Sequence, residues 1–328
     1  MTATHLAVVP ETVVPDTVIP PGANHPTARE LSEGADAIAD SRAESTRRNI
    51  QWAFRTWTEF CEADGQDPET LFAPNRFTPL LVARFLRQFA EGRTVGSVRV
   101  VRAGLSAAFR EATMLTEKPP TDPTKNELVS RAVKGLARQR METQKQAPAV
   151  RLADLERILI TTEKSGDRLA ARDGALMGVM WWTLMRVSEA VNLRWGDLED
   201  PPDGPATVTI RKSKTDQEGR GVTVALPEPA ARLLKAWAFE APQTDCGRMF
   251  PITTSAASRA IRKRAAAAGL KASSHSLRVG AATTLADAGY SLSDLQVAGR
   301  WANSRMAARY TAQRDAANSP MMRFAGGK

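Results

Sequence analysis

The C-terminal half of the chain contains arginine and histidine pairs whose types and spacing suit chemistry on an anion. Arginine binds anions, and histidine exchanges protons near neutral pH. His275, the one histidine beyond residue 25, stands three residues before Arg278, so on a helix both share a face. Arg186, with Glu189 three residues later, follows an apolar run, where a charge is costly unless it is paired or faces a site. Each pair alone is also typical of a helix cap or of a pair of surface residues.

Two aromatic residues near the C-terminus extend this set. Of the two tyrosines, Tyr310 lies close in sequence to Arg300, Arg305 and Arg309. Trp301 stands nine residues before Tyr310. A helical tyrosine is most often a core or interface residue, but nearby cations favour the phenolate, and a phenolate is a nucleophile. The sequence therefore offers a candidate nucleophile, candidate anion-binding groups and a candidate base.

The order and spacing of these residues resemble the tyrosine recombinase (phage integrase) family. The matching positions are Arg186, Glu189, Lys214, His275, Arg278, Trp301 and Tyr310. The stretch 274–310 is the most specific, and it resembles a branch of the family with Trp where many members have a second His. The resemblance is specific over residues 175–312 and reduced to a helix pattern over 41–150.

Two positions depart from the family pattern. The Gly-Leu pair common before the first arginine is Leu184-Met185 here. The lysine position also has a rival, because the predicted hairpin offers two other bases, Lys212 and Arg220, and Lys212 lies only two residues before Lys214. The assignment of the lysine therefore stays open between Lys214 and Lys212.

The resemblance implies an enzyme that cuts and rejoins DNA through a 3′-phosphotyrosine, with Tyr310 as the nucleophile and with no metal or cofactor. Arg186 and Arg278 would stabilise the extra negative charge of the phosphorane. Trp301 would donate its indole N–H to a non-bridging oxygen, and Glu189 would orient the arginine and histidine side chains.

Proton transfer falls to two further residues under the same resemblance. His275 would accept or relay the phenolic proton, since a tyrosine of pKa ~10 is about a thousandth ionised at neutral pH. Lys214, or Lys212 in its place, would protonate the leaving 5′ oxygen.

The resemblance also implies the partners. These are double-stranded DNA with specific recombination sites and further copies of the chain, as a monomer or dimer on single sites and a homotetramer on synapsed DNA. The apolar residues Met321, Met322 and Phe324 are expected to dock into a neighbouring protomer. Two alternatives remain: a type IB topoisomerase, which shares the chemistry on one duplex, and a non-catalytic DNA-binding regulator.

Composition agrees with a DNA-binding protein. Residues 1–40 carry one arginine and six acidic residues, whereas residues 41–328 carry 44 basic and 30 acidic residues, a net charge of +14. Such an excess is typical of nucleic-acid binders but also occurs in soluble proteins of high pI. No apolar stretch reaches the ~20 residues of a membrane span. We expect a cytoplasmic, nucleoid-associated protein in which the two cysteines form neither a disulfide nor a metal site.

Apolar periodicity predicts a mainly α protein, and the chain length favours two domains. The resemblance implies that these two domains form a C-shaped clamp. We expect a disordered acidic tail over 1–40, a core-binding domain of four to five helices over 41–140, a linker over 141–150 and a catalytic domain over 151–328. The catalytic domain should be mostly helical with a small antiparallel sheet, its strands near 206–212 and 221–226. The predicted DNA-facing residues of the first domain are Arg99, Arg102, Arg110, Arg131, Lys134 and Arg138. A solvated helix face is the alternative for this basic surface.

Overall fold

The computed structural model describes residues 44–69, 76–113, 120–141, 146–211, 221–241, 247–317 and 319–325. The predicted tail over 1–40 and residues 142–145 of the predicted linker lie outside the described residues. The described chain is mainly helical with a small antiparallel sheet, which confirms the predicted class. It divides into two compact units, Met1–Gln144 and Lys145–Lys328, called here the N-terminal and C-terminal units.

The described part of the N-terminal unit is helical. Its helices are α1 (Glu44–Ala63), α2 (Pro79–Phe89), α3 (Val95–Ala112) and α4 (Glu127–Arg140), with a 3-10 turn at Pro123–Lys125 between α3 and α4. The Thr78 hydroxyl accepts the backbone N–H of Leu81 at 3.3 Å and so caps α2, as a threonine before a proline predicts. The close approach of α1 to α3 requires Gly104, because a Cβ there would lie 2.4 Å from the Cβ of Ala53.

Aromatic side chains fill the core between these helices. Trp57 packs against Phe60, Phe77 and Phe85, with ring centroids 5.3–5.7 Å apart. Its indole N–H donates to the carbonyl of Pro68 at 3.0 Å, so the buried ring leaves no unpaired donor. Burial of each such ring contributes roughly 1.5–3 kcal/mol.

Leu128, Ala132 and Leu136 recur every four residues, which predicts that they form the buried face of α4, but the face found differs from this prediction. Ala132 and Leu136 pack against the core as expected, but Leu128 is 46% exposed. Val129 and Val133, four residues apart, supply the fully buried row instead. The apolar stripe is therefore turned by one residue, because two stripes of similar apolarity compete on this helix and packing selects between them.

The C-terminal unit contains the sheet and the remaining helices. The elements are α5 (Leu152–Glu163), α6 (Ala170–Trp182), α7 (Val187–Ala190), β1 (Leu198–Glu199), β2 (Thr207–Ile210), β3 (Val222–Ala225), α8 (Glu228–Glu240), α9 (Thr254–Ala267), α10 (Ser274–Asp287), α11 (Leu292–Gly299), α12 (Ser304–Ala317) and α13 (Pro320–Ala325). The strands pair antiparallel in the order β1-β2-β3, with Thr207 opposite Ala225 and Ile210 opposite Val222. β1 has only two residues, too few for its alternation to be read from sequence.

Helix α6 is the centre of the C-terminal core. It packs against α5, α8 and α10, and its residues from Asp173 to Trp181 are all buried. A helix that is apolar on all sides is expected in such a position. Gly178 lets α8 approach, because a Cβ there would lie 2.5 Å from Cδ1 of Leu233.

A buried arginine joins α9 to the start of α6. Nε of Arg264 donates to Oδ2 of Asp173 at 2.8 Å, and its Nη2 lies 3.0 Å from Oδ2 of Asp167. Both Arg264 and Asp173 have almost no exposed surface. Removing one partner of such a pair leaves an uncompensated buried charge, so this contact is a structural requirement of the unit.

Residues 146–150 form a strap over α10. The backbone N–H of Val150 donates to the carbonyl of Ser276 at 3.1 Å, and the Val150 carbonyl accepts the indole N–H of Trp181 at 2.7 Å. A Cβ at position 280 would lie 1.7 Å from that same carbonyl oxygen, so only Gly280 fits beneath the strap. The strap thus contacts the helix that carries His275 and Arg278.

Candidate active site

The turn after α6 delivers Arg186. The N–H of Met185 donates to the carbonyl of Met180 at 3.0 Å, and the N–H of Leu184 donates to that of Trp181 at 3.3 Å. This is the Schellman pattern of helix ends, in which glycine usually occupies the left-handed position. Leu184 takes that position here with φ of 52°. The backbone therefore makes the turn without the glycine that the family pattern has.

Arg186 and Glu189 form a hydrogen-bonded pair. Nη1 of Arg186 donates to Oε1 of Glu189 at 2.6 Å, and the backbone N–H of Arg186 donates to Oε2 at 2.9 Å. Burial alone would raise the pKa of Glu189, but hydrogen bonds from Arg186 and the charges of Arg300 and Arg186 lower it below its ordinary value. The carboxylate is therefore ionised and fixed beside the arginine.

The turn after α11 repeats this backbone motif. The N–H of Trp301 donates to the carbonyl of Gln296, and the N–H of Arg300 donates to that of Val297, both at 3.0 Å. Arg300 occupies the left-handed position with φ of 51°. The turn places Trp301 directly after it, as the first turn places Met185 and then Arg186.

Arg300 connects the two turns, although it is not among the predicted site residues. Its Nη2 donates to Oε2 of Glu189 at 3.0 Å and to the carbonyl of Leu184 at 3.2 Å. Its Nη1 donates to the carbonyl of Thr183 at 2.8 Å. Burial lowers the pKa of Arg300 and Glu189 partly restores it, which leaves it below the ordinary arginine value. Nothing in the sequence marks this role, because sequence rules assign the left-handed position at a helix end to glycine.

Helix α10 contributes Arg278, which is 2% exposed. Its Nη1 donates to the carbonyl of Leu184 and its Nη2 to that of Gly299. The guanidinium carbon lies 5.1 Å from the ring centre of Trp301. Burial, followed by the charges of Arg186 and Arg300, lowers the pKa of Arg278 to about 10, so the side chain stays charged at neutral pH.

His275 lies one turn earlier on the same helix, with an exposed side chain. Partial desolvation lowers its pKa below the ordinary value of 6.5, and the charges of Arg278, Arg186 and Arg309 lower it further. The imidazole is therefore neutral at pH 7. A neutral imidazole can accept a proton, as a general base must.

Tyr310 on α12 is stacked on Trp301. The ring centroids are 5.2 Å apart and the planes differ by 17°. Burial raises the pKa of Tyr310, and the charges of Arg278 and Arg309 only partly oppose this, so the net shift is upward. The phenol also borders a polar depression lined in part by Gln146 and Arg309. The resting phenol is therefore protonated and needs a base before it can attack.

Six predicted residues thus fall within one cluster of the C-terminal unit. They are Arg186, Glu189, His275, Arg278, Trp301 and Tyr310. Lys214 and its rival Lys212 lie outside the described residues. A phenol, a neutral imidazole and fixed guanidinium groups can together attack a phosphodiester and stabilise the phosphorane that forms.

The sequence profile described as "Phage integrase family" matches residues 149–317, which are 169 of the 328 residues and include this whole cluster. The chain belongs to the phage integrase family. It is accordingly a site-specific tyrosine recombinase, an enzyme that cleaves and rejoins DNA, and the family assignment made from the motifs is confirmed.

Individual relatives agree with this membership. "Recombinase cre" of Escherichia phage P1 is 26% identical over 232 residues, which cover 62% of this chain and 68% of that protein. Among solved structures, the XerH recombinase bound to a palindromic difH substrate after cleavage is 20% identical, with a TM-score of 0.57 over 75% of this chain and 72% of that one. A lambda integrase tetramer bound to a Holliday junction is 17% identical, with a TM-score of 0.56 over 88% and 78%. These two structures show the shared fold.

The candidate DNA-facing residues of this integrase-family protein lie on α3 and α4. Five of them are exposed: Arg99, Arg110, Arg131, Lys134 and Arg138. Arg131 also pairs with Glu127 at 2.7 Å, a spacing of one helical turn. Arg102 is only half-buried, and its guanidinium donates to the carbonyl of Thr124 at 2.7 Å and to the hydroxyl of Ser130 at 3.0 Å. Contact of these six residues with DNA stays a prediction.

Among the described residues, no group of three or more His, Cys, Asp or Glu side chains is placed to hold a metal ion. None of the helices that the structure describes is long and apolar enough to cross a lipid bilayer.

Proposed function

We propose that the chain exchanges strands between two short inverted-repeat DNA sites in the manner of Cre, with Tyr310 as the nucleophile. The phenolic oxygen bonds to a strand phosphorus while the bond from phosphorus to the 5′ oxygen breaks, giving a 3′-phosphotyrosine and a free 5′ hydroxyl. The observation that carries this proposal is the position of Tyr310, stacked on Trp301 and held close to the buried charge of Arg278.

Arg278 and Arg186 stabilise the phosphorane in this mechanism. A guanidinium has five N–H donors, and the carbonyls of Leu184 and Gly299 use only two of those on Arg278. The others can bind non-bridging oxygens. Because both arginines are fixed before substrate arrives, little reorganisation is needed when the negative charge develops.

Trp301 supplies a further donor to the phosphate. The other buried tryptophans, Trp57, Trp181 and Trp237, each donate the indole N–H to a backbone carbonyl. The indole N–H of Trp301 has no acceptor among the described residues. The Trp301 ring is buried, but its nitrogen is not one of the buried atoms without a partner, so the N–H is accessible, and we propose a phosphate oxygen of the substrate as its acceptor.

Proton transfer is assigned to His275 and Lys214. Ionising a phenol of pKa ~10 at pH 7 costs about 4 kcal/mol, which a base in reach reduces. His275 accepts this proton as a neutral imidazole. Lys214, or Lys212 in its place, protonates the 5′ oxygen from the segment that joins β2 to β3. The phosphotyrosine conserves the energy of the broken phosphodiester bond, so the reverse attack by a 5′ hydroxyl reseals the strand.

In this proposal residues 41–140 act as the core-binding domain and residues 151–328 as the catalytic domain, and both bind the DNA. The exposed basic residues of α3 and α4 support contacts with phosphates. We propose a monomer or dimer on a single site and a homotetramer on two synapsed sites, as in the lambda integrase complex on a Holliday junction. The expected location is the cytoplasm, in association with the nucleoid.

The C-terminal helix α13 supports the tetramer. Met321, Met322 and Phe324 are 72%, 59% and 82% exposed, an apolar tip that another protomer would cover. A chain that lacks residues 316–328 should bind single sites normally and fail to form synaptic complexes in native gels. Undiminished synapsis of the shortened chain would remove this docking role.

A covalent-trapping experiment tests the function. DNA that flanks the protein's own gene is tiled as duplexes with a nick, so that the short cleaved fragment diffuses away and the covalent complex accumulates. The wild-type chain should shift in a denaturing gel, and Tyr310→Phe should bind the same duplex without any shift. Tyr290→Phe is the matched control, because Tyr290 is the other tyrosine of the chain and is 52% exposed.

The same experiment separates the alternatives. Covalent attachment without recombination between two sites, together with relaxation of supercoiled plasmid by a monomer, would indicate a type IB topoisomerase. Binding without any covalent product in the wild-type chain would indicate a DNA-binding regulator and contradict the proposal.

A further inference from the structure

We propose that Arg300 is a positioning residue for strand cleavage, which holds the turns that carry Arg186 and Trp301 against Arg278. This inference rests on the proposed function, since it concerns the arrangement of the phosphate-binding groups. Arg300 does not itself contact the reacting atoms in this proposal. It acts through Glu189 and the backbone carbonyls at the end of α6.

The first argument is that Arg300 shares an acceptor with each of the two phosphate-binding arginines. Glu189 accepts hydrogen bonds from both Arg186 and Arg300. The carbonyl of Leu184 accepts from both Arg278 and Arg300. A displacement of Arg300 would therefore affect Arg186 through Glu189 and Arg278 through the carbonyl of Leu184.

The second argument concerns the orientation of Arg186. Oε2 of Glu189 is occupied by Nη2 of Arg300 and by the backbone N–H of Arg186. The side chain of Arg186 consequently binds Oε1 through Nη1 alone at 2.6 Å, instead of as a two-pronged fork on both oxygens. Its other donors remain available to a phosphate. Without Arg300, the freed carboxylate oxygen would compete with the substrate for them.

The third argument is the backbone conformation of Arg300. A left-handed φ of 51° is unfavourable for any residue with a Cβ, and glycine would adopt it without cost. The strain persists because the side chain is 11% exposed and satisfies three acceptors on two segments. Retained strain of this kind is characteristic of functional sites. A lysine, with one compact ammonium in place of a planar fork, could not span these acceptors in the same geometry.

Single-turnover cleavage of the nicked duplex tests the proposal with Arg300→Gly and Arg300→Lys in the full-length chain. The glycine variant lacks the backbone strain and should therefore fold, and the lysine variant preserves the charge. Both variants should cleave about 10- to 100-fold more slowly, the range expected when a supporting group is lost or a reacting group is misplaced by about 1 Å. The amplitude of the covalent product and the DNA Kd by fluorescence anisotropy should stay within about twofold of wild type.

Two further measurements separate positioning from a general structural role. Arg264→Ala is the matched control, since it removes another enclosed arginine of the same unit outside the cluster, with a side chain 5% exposed against 11% for Arg300. At a temperature where its circular dichroism spectrum is native, its cleavage rate should match wild type although its Tm is lower. Methylguanidinium added to Arg300→Gly should restore part of the cleavage rate, and the same salt should not accelerate Arg264→Ala.

The outcomes are distinct. An unchanged cleavage rate in both Arg300 variants overturns the inference, as does a rate loss matched by an equal loss of DNA affinity or by an equal loss in Arg264→Ala. A rate loss with unchanged Kd and rescue by methylguanidinium supports it. A wild-type chain that forms no covalent complex refutes the proposed function, and the inference with it, whatever the variants do.

Discussion

The two units of the molecule use arginine in different ways. In the C-terminal unit, Arg278 and Arg300 are enclosed, and each of them donates to two or three fixed backbone or carboxylate oxygens. On α3 and α4 of the N-terminal unit, Arg99 and Arg138 are exposed on the helix surface. The first arrangement holds a guanidinium at one position before substrate arrives. The second leaves long side chains free to adjust to a phosphate backbone.

This difference indicates what each set of arginines can contribute. A preorganised cation lowers the free energy of a transition state, because no reorganisation is needed as negative charge develops. An exposed cation contributes affinity through counterion release, which depends on salt and hardly on the exact atom that is bound. Substitutions in the C-terminal unit should therefore change rates, and those in the N-terminal unit should change binding.

The largest effect is expected for Arg278→Lys. Lysine keeps the charge but loses the planar fork that contacts Leu184, Gly299 and the proposed phosphate. Single-turnover cleavage should slow by roughly 10²- to 10³-fold, as for the loss of one preorganised donor, with little change in DNA Kd. A rate within threefold of wild type would break the comparison, because it would mean that charge alone suffices in this unit.

Glu189→Gln should destabilise the C-terminal unit by about 3 kcal/mol, because it removes the buried carboxylate that pairs with Arg186 and Arg300. The pKa of Glu189 lies below its ordinary value of 4.5, so the stability it contributes is complete above the unfolded pKa and is lost as pH falls through the folded pKa. The difference in free energy of unfolding between wild type and variant, measured with urea, should therefore be large at pH 7 and should disappear in acid. A gap that stays constant with pH would contradict the assigned charge state.

The pH dependence of cleavage should report His275. Its folded pKa lies below 6.5, so the rate should be level from pH 8 to 6.5 and fall by about tenfold per pH unit below the folded pKa. The contribution of His275 to the free energy of unfolding depends on pH in the same direction. It is fully present above pH 6.5 and is lost as pH falls through the folded pKa. Arg309→Ala removes one of the charges that depress this pKa and should move the fall to higher pH. A fall at or above pH 7 in the wild-type chain would contradict the assignment.

The smallest effects are expected in the N-terminal unit. Arg138→Ala should leave the saturated cleavage rate unchanged and reduce the slope of log Kd against log salt by about 0.9, the value for one lost phosphate contact. Arg102→Ala sharpens the comparison within this unit, because its guanidinium also bonds Thr124 and Ser130. It should cost about 1 kcal/mol of stability in addition to any change in slope. An Arg102→Ala chain of full stability would show that these internal contacts contribute nothing.

Helix positions and the order of the elements followed from the sequence because they depend on local signals. Thr78 followed by Pro79 marks the start of α2, and the uninterrupted apolar run in α6 marks a buried helix. The prediction of the inward face of α4 was wrong at Leu128, since the choice between two apolar stripes depends on neighbours that lie far away in sequence. Strand β1 was missed for a similar reason, as its two residues are strands only by pairing with β2.

The residues of the candidate site followed from rare residue types at recognisable spacing, but their supports did not. Nothing in the sequence near Leu184 indicates that its carbonyl accepts from Arg278 and Arg300, because backbone acceptors have no residue signature. In the sequence, Arg300 is only one of several basic residues near Tyr310. Its left-handed backbone gives no sequence signal either, because sequence rules assign that conformation to glycine.

The strap over α10 has a mechanical consequence. Val150 is hydrogen-bonded to the carbonyl of Ser276, next to His275, and the absence of a side chain at Gly280 leaves the two backbones in direct contact. A pull on the chain ahead of residue 146 would be transmitted to the first turn of α10 without a compliant side chain between them to absorb it. Tension applied to the polypeptide before residue 146 would then act on His275 and Arg278, the proposed base and one of the two proposed phosphate-binding arginines.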